Sequence, residues 1–476
     1  MSVWLLHSNE PTLDLLLDQL EFPHGTRLPT HGESTHVIHW GCFHTERPGQ
    51  RSLQPVKSLL RSSTARKMAE LLEVHGILFD LETNKRRYTY EYLVPVFHLH
   101  ALGLFQKSYG VFYGAPHPLQ KQEESEFTEL LNETPPYHAV RAKREAVKAV
   151  YALGLDYGVV RIGVRPGGEL AVLELQAIPK LTQRLAELFA AAMHRFAQEV
   201  VNAQTDKREI MIGADPEFLL RNAQGKVTFA SRFLEKEGPV GCDAIVLPGF
   251  RKVYPLAELR PEPNSDVGQL IINLRRTMQI ATRQIQDESL QWLAGGMPVK
   301  GFPLGGHLHF SGTWLNSELL RVMDNYLALP LILLEDATTG NRKPKYGFLG
   351  DFRRKRYGGF EYRVLPSWLI SPTVAKGVFA MSKLIADHYS LLQARPLNEL
   401  SMQKAYYEGD KSSIRPLIPG LWGDLTRLPS YRKYEKYLTP LKSMLLRQEG
   451  WNEQGDIRRG WKIGPFRIKE ESSINS

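Results

Sequence analysis

Apolar residues follow a helical spacing in some stretches of this chain and alternate with polar ones in others. Ala65, Met68, Leu71 and Leu72 mark a helix over Ser63–His75 that stops at Gly76. Another is predicted over Arg141–Leu153. A longer amphipathic helix covers Thr182–Asn202, with Leu185, Leu188, Phe189, Ala192, Met193, Phe196 and Val200 on one face. Short strands are expected at Ser2–Leu6 and Thr35–Trp40. Tyr88–Tyr113 alternates as a hairpin turning at Ala101-Leu102-Gly103, with His98 and His100 on the polar face of its sheet. Tyr157–Val164 and Leu170–Gln176 form a further hairpin around the Pro166-Gly167-Gly168 turn.

The polar run 202–209 is the best domain boundary. Beyond it, strands are predicted at Glu209–Leu220, Tyr254–Glu262, Gly305–Gly312 and Phe360–Val364. Helices are predicted from Ser265 to about Trp292, capped by Asn264 or Ser265, and over Ser317–Glu335. From about residue 395 the chain turns basic and aromatic and reads as a helical extension, with fraying expected after Lys469. The expected domains are therefore 1–205, 206–395 and 396–476, in keeping with 476 residues.

Composition narrows the class. A 42% hydrophobic, 23% charged chain is an ordinary globular protein, and its net charge of +9 is spread along it. That favours a mildly basic enzyme over a nucleic-acid binder. Cys42 and Cys242 are the only cysteines and lie far apart, so neither a disulfide framework nor a zinc site is expected. The N-terminus reads as a strand rather than a signal peptide, and no run approaches membrane-spanning length, so a cytoplasmic protein without membrane contact is expected.

The chemistry gathers around Gly305-Gly306-His307-Leu308-His309-Phe310. On a strand His307 and His309 share a face. So do Asp215 and Glu217, which repel each other unless a cation lies between them; the alternative is an exposed strand end. In Glu258-Leu259-Arg260-Pro261-Glu262, Glu258 suits a cation and Arg260 a carboxylate or phosphate, or the pair is a cross-strand ion pair. For the histidines the readings are two metal ligands, His307 on metal with His309 on a nucleotide or acyl group, or two core residues. The most basic segment, Asn341–Lys345 and Asp351–Gly359, runs into Phe360-Glu361-Tyr362-Arg363. Arginines beside a metal-binding carboxylate suit phosphoryl transfer; a solvated face or nucleic-acid contact are the other readings.

In order, Gly213-Ala214-Asp215-Pro216-Glu217-Phe218, Glu258-Leu259-Arg260-Pro261, Gly305-Gly306-His307-Leu308-His309-Phe310, the Arg-rich Tyr-Gly segment and Glu361-Tyr362-Arg363 before Leu365-Pro366-Ser367-Trp368 resemble the carboxylate–amine ligases of the glutamine synthetase-like superfamily, most closely the phage-type branch. The resemblance covers about residues 209–385. It implies an antiparallel-sheet catalytic domain with helices, α+β overall, and ATP with magnesium, or manganese in its place, as cofactors. By that likeness Glu217 and Glu258 hold one metal. Asp215, His307 and Glu361 surround a second, with Asp215 ligating through water. His309, Arg342, Arg353, Arg356 and Arg363 face ATP, and Arg260 and Asp243 face the substrate. Glu262 has no clear part. The implied activity is an amide or isopeptide bond made through an acyl phosphate, joining a small amine to the carboxylate of an amino acid or peptide. A phosphotransferase of the same fold and a non-catalytic nucleotide, nucleic-acid or peptide binder are the alternatives, and a homo-oligomer is compatible with either.

Upstream, the hairpin ending in Glu174-Leu175-Gln176 resembles the C-terminal part of ATP-grasp ligases. In that family an acid on the first strand and Glu-x-Asn on the second hold magnesium. Here Arg161 stands in the first acid's place and Gln176 replaces the Asn. Little chain is left between Ile77 and Arg86 for the phosphate-binding lobe. The expectation is an inactive α/β ATP-grasp relative that binds a substrate or partner, against an unrelated α/β domain.

Overall fold

The computed structural model describes residues 3–28, 36–41, 51–81, 88–108, 127–131, 134–206, 208–246 and 251–464. Ser2, Thr35, Cys42, Arg86, Arg87, Tyr113 and the tail after Lys469 lie outside the described residues. The chain divides into two compact units, Met1–Asp206 and Lys207–Ser476.

In the first unit, Val3–His7 (β1), His24–Gly25 (β2), His36–Trp40 (β3) and Arg51–Leu53 (β4) form a parallel sheet in the order β2-β1-β3-β4. Tyr90–Phe97 (β5), His100–Ala101 (β6), Phe105–Ser108 (β7), Thr128–Glu129 (β8), Tyr157–Val164 (β9) and Leu170–Gln176 (β10) form an antiparallel sheet. Its order is β10-β9-β5-β7-β8, with β6 beside β5. Three longer helices accompany them, Ala65–Val74 (α1), Tyr137–Ala152 (α2) and Gln183–Thr205 (α3), besides the short ones Asp14–Leu17 and Val56–Arg61. Thr64 and Thr182 cap α1 and α3 through their hydroxyls. Gln54, fully buried at positive φ, donates to the carbonyls of Tyr157 and Ala177 and accepts from the amides of Asp156 and Tyr157. Trp40 stacks on Tyr157 at 4.8 Å. The expected hairpin forms, but it reverses through His98 and Leu99 at positive φ. His98 is not on a polar face. It is 4% exposed and meets Phe196 edge-on at 4.8 Å, because the turn folds it inward onto α3.

The second unit is built around Met211–Arg221 (β11), whose interior residues are all buried. Val227–Thr228 (β12), Val240–Val246 (β13), Lys252–Leu259 (β14), Gln291–Leu293 (β15), Gly306–Ser311 (β16), Phe352–Arg354 (β17) and Phe360–Tyr362 (β18) complete an antiparallel sheet. Its order is β13-β14-β11-β16-β18-β17, with β12 and β15 also on β11. The helix after β14 is Val267–Gln284 (α4), capped by Asp266 rather than Asn264 or Ser265. It stops short of Trp292, which lies in β15 and stacks on Phe218 at 4.6 Å. A Trp in register with Leu220 buries more surface in the sheet than at a frayed helix end. Ser317–Met323 (α5) continues through a π-helical turn, Asp324–Ala328, where Asp324 accepts from the Tyr362 hydroxyl at 2.7 Å.

Pro372–His388 (α6) is buried along most of its length, and Tyr431–Arg447 (α7) packs on it. The contact is close at Gly377, where a methyl group would come within 2.6 Å of Leu441. The helices after residue 395 thus fall within this second unit. Glu453 ties them to the rest of it. Its buried carboxylate accepts from the amides of Gly296 and Met297 and from the hydroxyls of Thr338 and Thr339. No described helix is long and apolar enough to cross a membrane.

The turn into β16 is fixed by small residues and by the segment after β18. The Ser367 hydroxyl donates to the Glu217 carbonyl at 2.5 Å, and the Trp368 indole donates to the Gly306 carbonyl at 2.8 Å. A methyl group on Gly306 would lie 2.4 Å from the Pro366 carbonyl oxygen and 2.6 Å from the Trp368 ring. Gly306→Ala is therefore expected to destabilise the second unit by about 1–3 kcal/mol in chemical denaturation. A neutral result would show that this corner has slack.

Candidate active site

β11 changes partners along its length. Residues 211–216 pair with β16, Glu217 and Phe218 pair with β14, and its last residues pair with β12 and β15. The change falls at Pro216, which has no N–H to give to a ladder. One strand thereby delivers Asp215 opposite His307 and Glu217 opposite Glu258. Residues two apart share a face, so two neighbouring clusters arise from one alternation.

The first cluster joins Asp215, His307, His309 and Glu361. His307 Nδ1 lies 3.1 Å from Asp215 Oδ1 and 3.3 Å from Glu361 Oε1, and His309 Nε2 lies 2.9 Å from Asp215 Oδ2. Gly305 makes room, since a methyl group there would sit 2.3 Å from His307 Nε2. Burial works to raise the Asp215 carboxyl, but His307 and His309 outweigh it and hold the group well below the ordinary carboxylate range. Glu361 is 0% exposed. Burial and Asp215 push its pKa up, yet His307, Arg363 and Lys355 bring it below the usual value.

The second cluster joins Glu217, Glu258 and Asp243. Glu217 accepts from the Gly305 amide at 2.6 Å, and Glu258 pairs with Arg260, whose guanidinium also reaches the Gly238 carbonyl at 3.1 Å. Gly241, opposite Glu258, leaves the space that Arg260 occupies. Burial and the charges of Asp243 and Glu258 raise Glu217 well above the carboxylate range. Burial, with Asp215, pushes Glu258 up to about 8 against the pull of Arg260.

Cations ring Glu361. Arg353, directly opposite it in register, lies 3.5 Å away, Lys355 Nζ lies 2.6 Å away, and Arg363 bonds its other oxygen. Arg356 is exposed in the β17–β18 turn. Arg342 is a correction to the expected phosphate clamp. It is 2% exposed, and its two terminal nitrogens donate to the carbonyls of Val364 and Leu365 at 3.0 and 3.1 Å. It secures the exit of β18 and is not available to a phosphate. Lys355 was not singled out by the sequence, because nothing in a basic run distinguishes the residue that a turn folds back. Asp243, expected at the substrate, stands with the carboxylates. Glu262 is exposed and joins neither cluster.

Donor chemistry fits divalent cations at both clusters. In each, three ligand atoms lie within 4.8 Å of one another: Asp215, His307 and Glu361 in one, and Glu217, Asp243 and Glu258 in the other. Asp215 Oδ1 and His307 Nδ1 are buried without a well-formed hydrogen bond. Oxygen ligands with a single imidazole suit magnesium or manganese. The upstream hairpin differs. Glu174 faces Arg161 in register, 3.8 Å away, and accepts from the Gln176 amide at 2.7 Å, so its charge is already answered.

The family model described as "Phage phiEco32-like COOH.NH2 ligase-type 2" matches residues 212–463. No curated protein matches the chain. Among solved structures, the ATP-grasp ligase PsnB complexed with minimal precursor is similar at 11% identity and a TM-score of 0.26, over 38% of this chain and 91% of its own. A bifunctional glutathione synthetase from Pasteurella multocida is 11% identical at a TM-score of 0.35, over 57% of this chain. The match spans about half (54%) of that synthetase. A structure of the prokaryotic ubiquitin-like protein Pup with its ligase PafA is 9% identical at a TM-score of 0.35, over 52% of this chain and 66% of the matched one.

The raised Glu217 and Glu258 carboxyls give a pH test. An acid whose folded pKa is raised costs the free protein stability as pH climbs from its unfolded value toward about 8, and a cation relieves that cost. The rise in melting temperature caused by magnesium is therefore expected to be larger at about pH 8.5 than at about pH 6.5 in differential scanning fluorimetry. A pH-independent shift would remove these carboxylates from metal binding.

Proposed function

The chain belongs to the phage phiEco32-like COOH.NH2 ligase family and is a carbon–nitrogen ligase, and from that premise we propose that it uses ATP to join a carboxylate to an amine through an acyl phosphate. The observation that carries this reading is the pair of largely buried acidic clusters on β11 and its sheet neighbours, with Arg353, Lys355 and Arg363 gathered at one of them. Asp215, His307 and Glu361 would hold one magnesium, and Glu217, Asp243 and Glu258 a second. Bound magnesium supplies positive charge against the phosphate oxygens of ATP.

The chain's own residues would do the rest. Arg353, Lys355 and Arg363 offer cations to the transferring phosphoryl group, where charge spreads over its oxygens. His309, partly exposed beside Asp215, faces the nucleotide, and Arg260 holds the carboxylate to be activated. A substrate carboxylate oxygen attacks the γ-phosphorus and ADP leaves. The amine nitrogen then attacks the acyl carbon, loses a proton and expels phosphate. No side-chain nucleophile is required. The buried floor of the site keeps water from the acyl phosphate. We take the carboxylate to belong to an amino acid or peptide in a soluble, cytoplasmic setting, with the first unit presenting substrate.

Screening amino acids and short peptides with ATP and magnesium by mass spectrometry is expected to reveal a condensation product and amine-dependent ADP release. Glu361→Gln and His307→Ala should each reduce turnover by about 100-fold or more while the protein stays folded. Glu174→Ala should leave ADP release unchanged. Full turnover in both site variants would overturn the assignment, and a stable phosphorylated product without amide would make the protein a phosphotransferase instead.

A further inference from the structure

A cleft of about 500 Å³, lined by no residue of either cluster, lies between the start of α4, the first half of α6 and the first half of α7. Its size is in the range of ligand sites. Lys376 on α6 and Lys433 and Lys436 on α7 line it, and none of the three makes an ion pair among the described residues. The acid in its lining, Asp266, caps α4 by accepting from the Gln269 amide at 2.8 Å. That leaves the amides of Val267 and Gly268, in the first turn, without helical partners. Gly268 keeps the space open, since a methyl group there would lie 3.1 Å from the Tyr437 hydroxyl.

Tyr434 forms part of the wall. It is 2% exposed, yet its hydroxyl has no hydrogen-bond partner among the described residues. The ring is buried while the hydroxyl meets the open cleft, where it can donate to a guest in place of water. Burial, with Asp387, Asp266 and Glu209 nearby, pushes its pKa up to about 12, so it remains a donor at neutral pH.

The lining is also apolar. Ile272 is 48% exposed here, and Lys433 and Lys436 lie over the Tyr434 and Tyr437 rings at 5.3 and 4.9 Å. Cations spread over two helices, with aromatic and aliphatic surface between them, suit a chain of carboxylates with apolar spacers better than one compact anion. We propose that this cleft binds an acidic peptide segment, with its carboxylates on Lys376, Lys433 and Lys436 and a further acceptor on the Tyr434 hydroxyl. The loop leading into α4 descends from Arg260 and is bridged to β11 through Asn264 and Ile212. A peptide held here would therefore be anchored one short loop from the strands that carry the acidic clusters. Calling that peptide a substrate rests on the ligase reading; the binding does not.

The test is fluorescence anisotropy of a labelled hexaglutamate peptide with the full chain, without ATP or magnesium. Saturable binding is expected, weakened by salt. The Lys433→Glu, Lys436→Glu double variant should weaken it by about tenfold or more, and Tyr434→Phe, which keeps the ring, by several-fold. Lys226→Glu, an exposed lysine outside the cleft, should leave it unchanged. Equal affinity in all variants, or equal loss in Lys226→Glu, would overturn the site. Displacement by inorganic phosphate, where chloride of the same ionic strength leaves the peptide bound, would overturn the peptide as its occupant. The magnesium-induced thermal shift should persist in every cleft variant, so failure of this inference and failure of the ligase reading can be told apart.

Discussion

Negative charge gathered in a buried place is the constraint around which the second unit is arranged. Asp215, Glu217, Glu258 and Glu361 are each less than a tenth exposed, and they stand on β11, β14 and β18 of one sheet. Carboxylates this close cannot all stay ionised without compensation. The fold answers in two ways. Around Asp215 and Glu361 it supplies imidazoles, Arg363 and Lys355, which hold both carboxyls below their usual range. Around Glu217 and Glu258 it supplies less, and burial with the neighbouring acids raises both carboxyls. Gly305, Gly306, Ser367 and Trp368 give the backbone the geometry that this requires.

The first unit shows a like acidic residue with a cation of the chain already beside it. Glu174 sits between Arg161 and Gln176, half in solvent. Its charge is met locally. A metal would have to displace an existing partner there, while at the β11 clusters it would relieve a repulsion.

Much of this was legible in the chain. The alternation in β11 and β16 placed Asp215, Glu217, His307 and His309 on common faces, and the order of the motifs pointed to the family that the comparison with known families also returns. What stayed hidden depends on turns and on depth. Arg342 and Arg353 look equivalent in a basic run, yet one is buried against carbonyls and the other faces Glu361 across a register that only the β17–β18 hairpin sets. Lys355 is brought to Glu361 by that same turn. Asp243 joins the acids because a bulge follows it in β13, which no residue spacing announces. Trp292 carried a helical pattern but was drawn into the sheet by Phe218.

Because both clusters hang from a single run of alternating residues, they are inherited together. Inserting or deleting one residue within β11 would turn its later side chains to the opposite face. Asp215 and Glu217 would no longer work on the same side, and no compensating change in β14 or β16 alone could restore both pairings. Substitutions can tune either cluster separately, whereas changes in the length of this strand cannot. The strand is thus expected to keep its length across functional variants even where the loops around it vary freely.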